Sequence, residues 1–582
     1  MKTTLVTLLA AFASHSLASA IPSTSNLVPS TFHARQSCDN TATSRSCWGD
    51  YSVDTDYYSV VPNTGVTREY WLTVDNVTLS PDGYSRQVLA FNGTIPGPLI
   101  TADWGDNLVI HVTNNLQHNG TSIHWHGIRQ LNSTEYDGVP GVTQCPISPG
   151  DTLTYKFQVT QYGSTWYHSH FSLQYGDGLQ GPLIINGPAT ADYDTDLGVL
   201  FLSDWSHIPV PERWDVARVG GPPTLENGLV NGTNTYDCSG STDANCIGNG
   251  TKYETTFVTG QKYRFRIINT AVDAHFQFSI DGHNFTVIAN DLVPIVPYAA
   301  DSILVSIGQR YDIIVEATQT SGDYWLRAGW VSSCSLNGNT ANITGIIRYN
   351  SNSTADPTST STVTASTSCG DEPLASLVPY LALDVGNFSD SSVNDEVLNF
   401  EFPDYFRWTL NGSTLYLNWS DPTTLRIFNN ESIWPTDYNV AAVDSVSSSD
   451  EWAVYVIEDD SGIGLTHPIH LHGHDFWVLA QDTGIFDIST TTLNLVNPPR
   501  RDVASLPANG FLAIAFKKDN PGSWLMHCHI AWHASEGFAM QFVESESSIS
   551  LTMTDTDVFD QTCAAWDAYT PTEVYLQDDS GI

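Results

Sequence analysis

Short runs in which apolar and polar residues alternate recur along the chain, among them Asn107-Leu-Val-Ile-His-Val-Thr113, Thr152-Leu-Thr-Tyr-Lys-Phe-Gln-Val159, Tyr263-Arg-Phe-Arg-Ile-Ile268 and Phe511-Leu-Ala-Ile-Ala-Phe516. Side chains two residues apart on an extended strand share a face, so each run buries one side and wets the other. Turn residues separate the runs, and no long segment shows a convincing 3.6-residue period with caps at its ends. The pattern predicts an all-β protein built of sandwiches, with helix confined to short connections.

The exceptions to the pattern mark the domain plan. Residues 351–368 are almost wholly Ser, Thr, Ala, Asn and Pro, which cannot build a core, so 351–372 is expected to be a linker. A second boundary is placed near Pro188, after the strand-like Gly181-Pro-Leu-Ile-Ile-Asn186. At the start, Lys2, the apolar run Leu5 to Ala13 and the small residues Ala18-Ser19-Ala20 follow the order of a cleaved secretory signal over 1–20. That run is far shorter than the roughly 20 residues a membrane span needs, and no later segment reads as one. A propeptide over 21–35, cut after Arg35, would leave Gln36 as the mature start. The 582 residues then divide into domains 36–188, 189–350 and 373–582, within the count that about 100 to 200 residues per domain allows.

Charge narrows the partners. With 63 acidic against 22 basic residues, a formal net charge of −41, the surface should repel nucleic acid and anionic membranes. Thirteen Asn-x-Ser/Thr sequons, Asn76, Asn119, Asn231 and Asn418 among them, fit a secreted glycoprotein. Nine cysteines is an odd number, and Cys528, between two histidines, stands apart. Cys38, Cys47, Cys145, Cys238, Cys246, Cys334, Cys369 and Cys563 can form four disulfides in an oxidising compartment, with their pairing open.

The chemistry lies in the histidines. Four His-x-His pairs are present: His124-Trp-His126, His168-Ser-His170, His470-Leu-His472 and His527-Cys-His529. On a strand each pair presents two imidazoles to one place without bending the backbone, eight in all. The same parity turns the Cys528 sulfur away from His527 and His529, so one strand can serve two metal centres. His467 is out of step with His470 and His472 and can reach the centre of Cys528, which His533 completes. Two histidines and a thiolate with a weak or absent axial ligand make a blue-copper electron-transfer site. Zinc is the rival for such ligands, but it performs no redox chemistry and prefers tetrahedral closure. Eight further imidazoles sharing the Cys528 strand suggest a cluster that receives electrons, which favours copper.

Taken together, His-Trp-His-Gly, Trp-Tyr-His-Ser-His, His-Pro-Ile-His-Leu-His-Gly-His and His-Cys-His-Ile-Ala-Trp-His resemble the four copper motifs of the multicopper oxidases. Within them the chain resembles the ascomycete fungal laccases from Ser37-Cys38 to its end, with Ala102-Asp-Trp-Gly-Asp106, Ser203-Asp-Trp205 and Gly308-Gln-Arg-Tyr-Asp312 as landmarks. The resemblance implies three consecutive cupredoxin-like β-sandwich domains of Greek-key type, with a trinuclear cluster between the first and the third. It implies four copper ions: a type 1 copper on His467, Cys528 and His533, a type 2 copper on His124 and His470, and a type 3 pair. His126, His168 and His529 would hold one type 3 copper, and His170, His472 and His527 the other. The activity implied is one-electron oxidation of phenols coupled to reduction of dioxygen to water, by a secreted monomer with no membrane or nucleic-acid partner.

The resemblance also assigns neighbours. The axial position beside the type 1 copper is Phe538, which cannot donate to a metal; Met540, two residues on, is its rival, with simple packing as the alternative. Without an axial donor the type 1 potential should lie in the upper part of the family range. Asp273 matches the acid of the substrate pocket, where a carboxylate can accept a phenolic proton as the electron leaves. Asp137 matches the acid near the type 2 copper and reads as a proton relay or as a turn residue before Gly138. His474 is expected to pack behind the ligands. The terminal Asp579-Ser-Gly-Ile582 resembles the family's C-terminal plug, and with nothing after it no further processing is expected. Another multicopper oxidase, such as a ferroxidase or ascorbate oxidase, and a non-catalytic copper-binding sandwich are the alternatives.

Overall fold

The computed structural model describes residues 38–582 apart from 387, 445–450 and 554. The expected signal segment 1–20 and the expected propeptide 21–35 lie outside the described residues.

Each of the four alternating runs forms a strand: Asn107–Asn114, Thr152–Gln158, Lys262–Asn269 and Gly510–Lys517. In the first, Leu108, Ile110 and Val112 point inward and meet Trp104, Trp125 and Tyr155, so a period-two pattern becomes one wall of a core. The first sandwich sets strands Arg86–Phe91, Thr67–Leu79, Asn107–Asn114 and Thr152–Gln158, in that spatial order, beside a sheet ordered Ile100–Asp103, Gln180–Asn186, Gly163–Ser169 and Ile123–Trp125. A second pair of sheets, with six and five strands, follows, and a third pair repeats those numbers. The all-β sandwich expectation holds.

Register puts the histidine motifs side by side. In the first sandwich His124 stands opposite His168 across an antiparallel ladder. In the third, His470 stands opposite His527, with Ile469 opposite Cys528.

Two helices exceed the expected short connections. Val210–Gly220 buries only Val210, Trp214 and Ala217, and Thr556–Tyr569 is anchored through Cys563 and Trp566. With so few apolar anchors and no side-chain cap at the first, neither raised a helical period above the polar background.

Residues 351–372 contain no helix or strand, yet the segment is fastened. Cys369 is bonded to Cys334, the Asp371 carboxylate accepts bonds from Ser505 and Gln481, and Glu372 accepts the Leu304 N–H at 2.7 Å. The other disulfides are Cys38–Cys47, Cys145–Cys563 and Cys238–Cys246, which leaves Cys528 as the one free cysteine among the described residues.

Candidate metal centres

Cys528 ends the strand Gly522–Cys528 in the core of the third sandwich. Its Sγ lies 3.8 Å from His467 Nδ1 and 3.6 Å from His533 Nδ1, and the two nitrogens are 3.0 Å apart. His467 arrives on the neighbouring strand His467–Leu471, and His533 on the short helix Ala531–Ser535. All three are buried; burial pushes the thiol well up and His467 down to about 4. The two imidazoles are thereby kept in the neutral form that ligates a metal, and with the thiol, once its proton is displaced, the three could hold a metal ion.

Phe538 closes this centre, its ring 5.1 Å from that of His467. Met540 is one step further along the same face, opposite Met526, within the core. The Trp408 ring packs 4.9 Å from both His467 and His533, and its indole N–H donates to Glu536 Oε2 at 3.0 Å. Neither Trp408 nor Glu536 carried a motif that sequence reasoning could use.

The eight paired imidazoles meet between the first and third sandwiches. His124 and His470 approach through their Nε2 atoms at 3.5 Å, because each Nδ1 is spent on a backbone carbonyl, Asp137 O and Asp502 O, both at 2.8 Å. His170, His472 and His527 bring ligand atoms within 4.8 Å of one another. The rings of His126 and His168 stand 5.1 and 5.7 Å from that of His529. The Nε2 atoms of His168, His170, His472, His527 and His529 are buried with no hydrogen-bond partner. Such orphaned atoms are costly unless something binds them. Burial, then repulsion between neighbouring imidazoles, holds His126, His168, His170, His470, His472 and His529 well below the usual range, so all six are neutral, the form that ligates a metal.

Asp137 serves two of these histidines at once: its carbonyl orients His124 and its Oδ2 accepts His472 Nδ1 at 2.8 Å. The following turn needs glycine, since a Cβ on Gly138 would fall 1.8 Å from Ile123 O. His474 lies behind the cluster, with Nε2 2.9 Å from Glu544 Oε2. Asp502 went unnoticed in the sequence: its Oδ1 lies 3.2 Å from His126 Nε2, and Arg310 of the second sandwich grips its carboxylate with two guanidinium nitrogens, Nη2 at 2.6 Å. From the same turn, Gly308 sits so close that a Cβ would come within 2.9 Å of the His529 ring. The Gly308-Gln-Arg-Tyr-Asp312 landmark was the signal for Arg310 and Gly308, and Asp502 had none.

Two hollows adjoin the centres. One, about 80 Å³, is lined by Asp273, Leu465, Pro468, Ile530, His533 and the Cys334–Cys369 disulfide. Burial and the neighbouring Asp204 hold the Asp273 carboxyl well above the usual range. The other, about 20 Å³, lies among His168, His170, His527, His529 and Ile582. The residues Asp579–Ile582 are all buried: the Ser172 hydroxyl donates to Asp579, Ser580 Oγ to Ala534 O at 2.7 Å, and Trp419 Nε1 to Gly581 O at 2.8 Å. A wider open hollow of about 460 Å³ beside Lys262 and Glu316 contains neither histidine nor cysteine.

Sequence profiles of multicopper oxidase domains match residues 73–190, 196–352 and 389–548. The chain belongs to the multicopper oxidases. Copper is thus the cofactor its family uses, and the soft and imidazole donors found here suit it. The chain is 66% identical to Laccase-2 of Botryotinia fuckeliana over 581 residues, covering 100% of this chain and 99% of that one. It is 63% identical to Laccase-1 of the same fungus, over the full length of both. Among solved structures, the laccase of Botrytis aclada superposes with a TM-score of 0.91 at 67% identity, covering 94% of this multicopper oxidase and 100% of that chain. Fet3p, a multicopper oxidase that functions in iron import, superposes with a TM-score of 0.76 at 26% identity, over 89% and 98% of the two chains.

Proposed function

We propose that this multicopper oxidase acts as a laccase, taking single electrons from phenols and reducing dioxygen to water. Four copper ions, when bound, supply the one-electron and multi-electron redox chemistry that amino-acid side chains lack. His467, Cys528 and His533 would hold the type 1 ion through Nδ1, Sγ and Nδ1, with Phe538 contributing no donor. His124 and His470 would hold the type 2 ion. His126, His168 and His529 would hold one type 3 ion, and His170, His472 and His527 the other.

The observation that carries the reading is the shared pocket of Asp273 and His533. A phenol there has its hydroxyl beside a carboxylate that can take the proton as the electron leaves toward His533. The route onward is short, because His527 and His529 flank Cys528 in the chain. At the cluster, Asp137 orients His124 and His472 and is placed to pass protons, which the reduction of dioxygen consumes. The terminal Asp579–Ile582 segment plugs the hollow beside the cluster.

The chain is read as a secreted glycoprotein acting as a monomer, with phenols and dioxygen as its small-molecule partners and neither nucleic acid nor membrane. Among the described residues no helix is long and apolar enough to cross a membrane. The domains are taken as 36–188, 189–350 and 373–582, joined by 351–372. The test is oxygen uptake by the copper-loaded protein with a dimethoxyphenol, alongside its absorption spectrum. Blue colour with phenol-dependent uptake is the result expected. Blue colour with uptake driven by ferrous iron or ascorbate and not by phenols would replace the substrate assignment, and a colourless copper-loaded protein would remove Cys528 as a ligand.

A further inference from the structure

Asp204 ends its side chain in the protein interior, on the strand Thr195–Trp205 of the second sandwich. Its carboxylate accepts three successive backbone N–H groups of the loop that carries Asp273. Oδ1 takes that of Val272 at 2.9 Å, and Oδ2 takes those of Asp273 at 2.8 Å and Ala274 at 3.1 Å. Three amides converging on one carboxylate form a small anion nest, and each such bond is roughly twice as strong as its neutral counterpart.

The loop is tied on its other sides as well. Asn269 Nδ2 donates to Ala274 O at 2.8 Å, and the Ser335 hydroxyl donates to Asp273 O at 2.9 Å. The Ala531 N–H donates to Val272 O at 2.9 Å, at the start of the helix that bears His533. One loop therefore carries the pocket acid at its middle and touches the helix of the electron-accepting histidine at its edge. Its geometry is set from below by Asp204. Burial lifts Asp204 to about 6 against the pull of the three amides, so the clamp is charged in neutral solution.

We propose that Asp204 is a positioning residue for phenol oxidation, fixing through three backbone amides where the Asp273 carboxylate stands relative to His533. The inference rests on Asp273 being the acceptor of the phenolic proton. An asparagine at 204 would keep one acceptor oxygen and turn an NH₂ group toward amides that are themselves donors, so the loop would have to move. A misplacement of about 1 Å at a reacting group can cost on the order of 100-fold in rate.

The experiment compares the copper-loaded parent protein with Asp204→Asn, Asp273→Asn and the double variant, using a dimethoxyphenol and ferrocyanide, which gives up an electron without a proton. The readout is the phenol-to-ferrocyanide ratio of kcat/KM, which a general loss of folded or copper-loaded protein leaves unmoved. Asp204→Asn should lower that ratio roughly 10-fold or more, within the range that misplacement allows. Asp273→Asn should lower it too, and the double variant should fall no further than Asp273→Asn alone. If Asp273→Asn keeps the parent ratio, the reading of Asp273 itself is wrong. If Asp273→Asn lowers the ratio while Asp204→Asn does not, or if the two losses multiply in full, the clamp is refuted. Should Asp204→Asn not fold, Asp204→Ser, which retains a hydroxyl acceptor, is judged by the same outcomes.

Discussion

Breaking the Cys145–Cys563 disulfide by Cys145→Ala/Cys563→Ala is expected to lower the stability of the whole protein and to loosen its C-terminal segment. The bond joins residues 418 apart in the chain. In the chain-entropy description, closing a loop of that length removes about 20 cal/mol/K from the unfolded state, or about 6 kcal/mol at 25 °C. The internal disulfides Cys238–Cys246 and Cys334–Cys369 span only 8 and 35 residues, so the logarithm hardly changes. On the native side the two sulfurs lie among Phe171, Trp419 and Trp566, and deleting them leaves voids costing on the order of 1 kcal/mol each. Measured losses for native disulfides run at roughly 2 to 5 kcal/mol, so the expected loss lies between about 2 and 6 kcal/mol. Urea unfolding of the copper-loaded parent and variant gives the global figure, and peptide-level hydrogen exchange over 556–582 gives the local one. A loss under about 1 kcal/mol with unchanged exchange would refute both the loop-closure reasoning and the view of this bond as the staple of the chain's end.

Asp273→Asn should slow phenol oxidation by roughly 100-fold or more, the usual worth of a placed proton acceptor, and ferrocyanide oxidation far less; equal losses for both donors would count against the proton role. Phe538→Met should add a weak axial donor and lower the type 1 potential, as read by redox titration, and an unchanged potential would mean that position 538 does not face the metal. Removing Asp579–Ile582 should expose the hollow by the cluster, lower oxygen uptake and cost roughly 2 kcal/mol through Ile582 alone, seen as a shorter half-life on heating; no change in either would return the segment to an ordinary tail. Burial depresses His275 to about 4 despite the opposing pull of Asp371. Its unfolded form takes up a proton below about 6.5, so the stability tied to neutral His275 is present above that value and lost as pH falls toward 4. The stability of the parent relative to His275→Gln should therefore rise between pH 4 and 6.5, by about 3 kcal/mol in all, and a flat difference in urea unfolding would show that the group titrates normally.

Strand parity carried most of the site into view. His527 and Cys528 point to opposite sides of one strand, and His467 reaches the thiol because it is out of step with His470, both consequences of a period of two that any reader of the motif can count. The all-β fold was legible for the same reason. What escaped notice acts across distance. Arg310 meets Asp502 from another sandwich, Trp408 leans on His467 and His533 from 59 and 125 residues away in sequence, and Asp204 reaches Asp273 through backbone amides that no side-chain pattern records. The helix Val210–Gly220 was missed because three inward residues do not make a period, and the docked course of 351–372 because its bonds depend on partners far along the chain.

The division of ligands between the chain's two ends bears on how the protein is made. His467, Cys528 and His533 all belong to the third sandwich, so that centre needs only the last part of the chain. The cluster needs His124 through His170 from the first and His470 through His529 from the third. A ribosome must therefore deliver nearly the whole polypeptide before the cluster has a second half. A chain ended before the third sandwich would carry four of the eight paired imidazoles and none of the partners that face them.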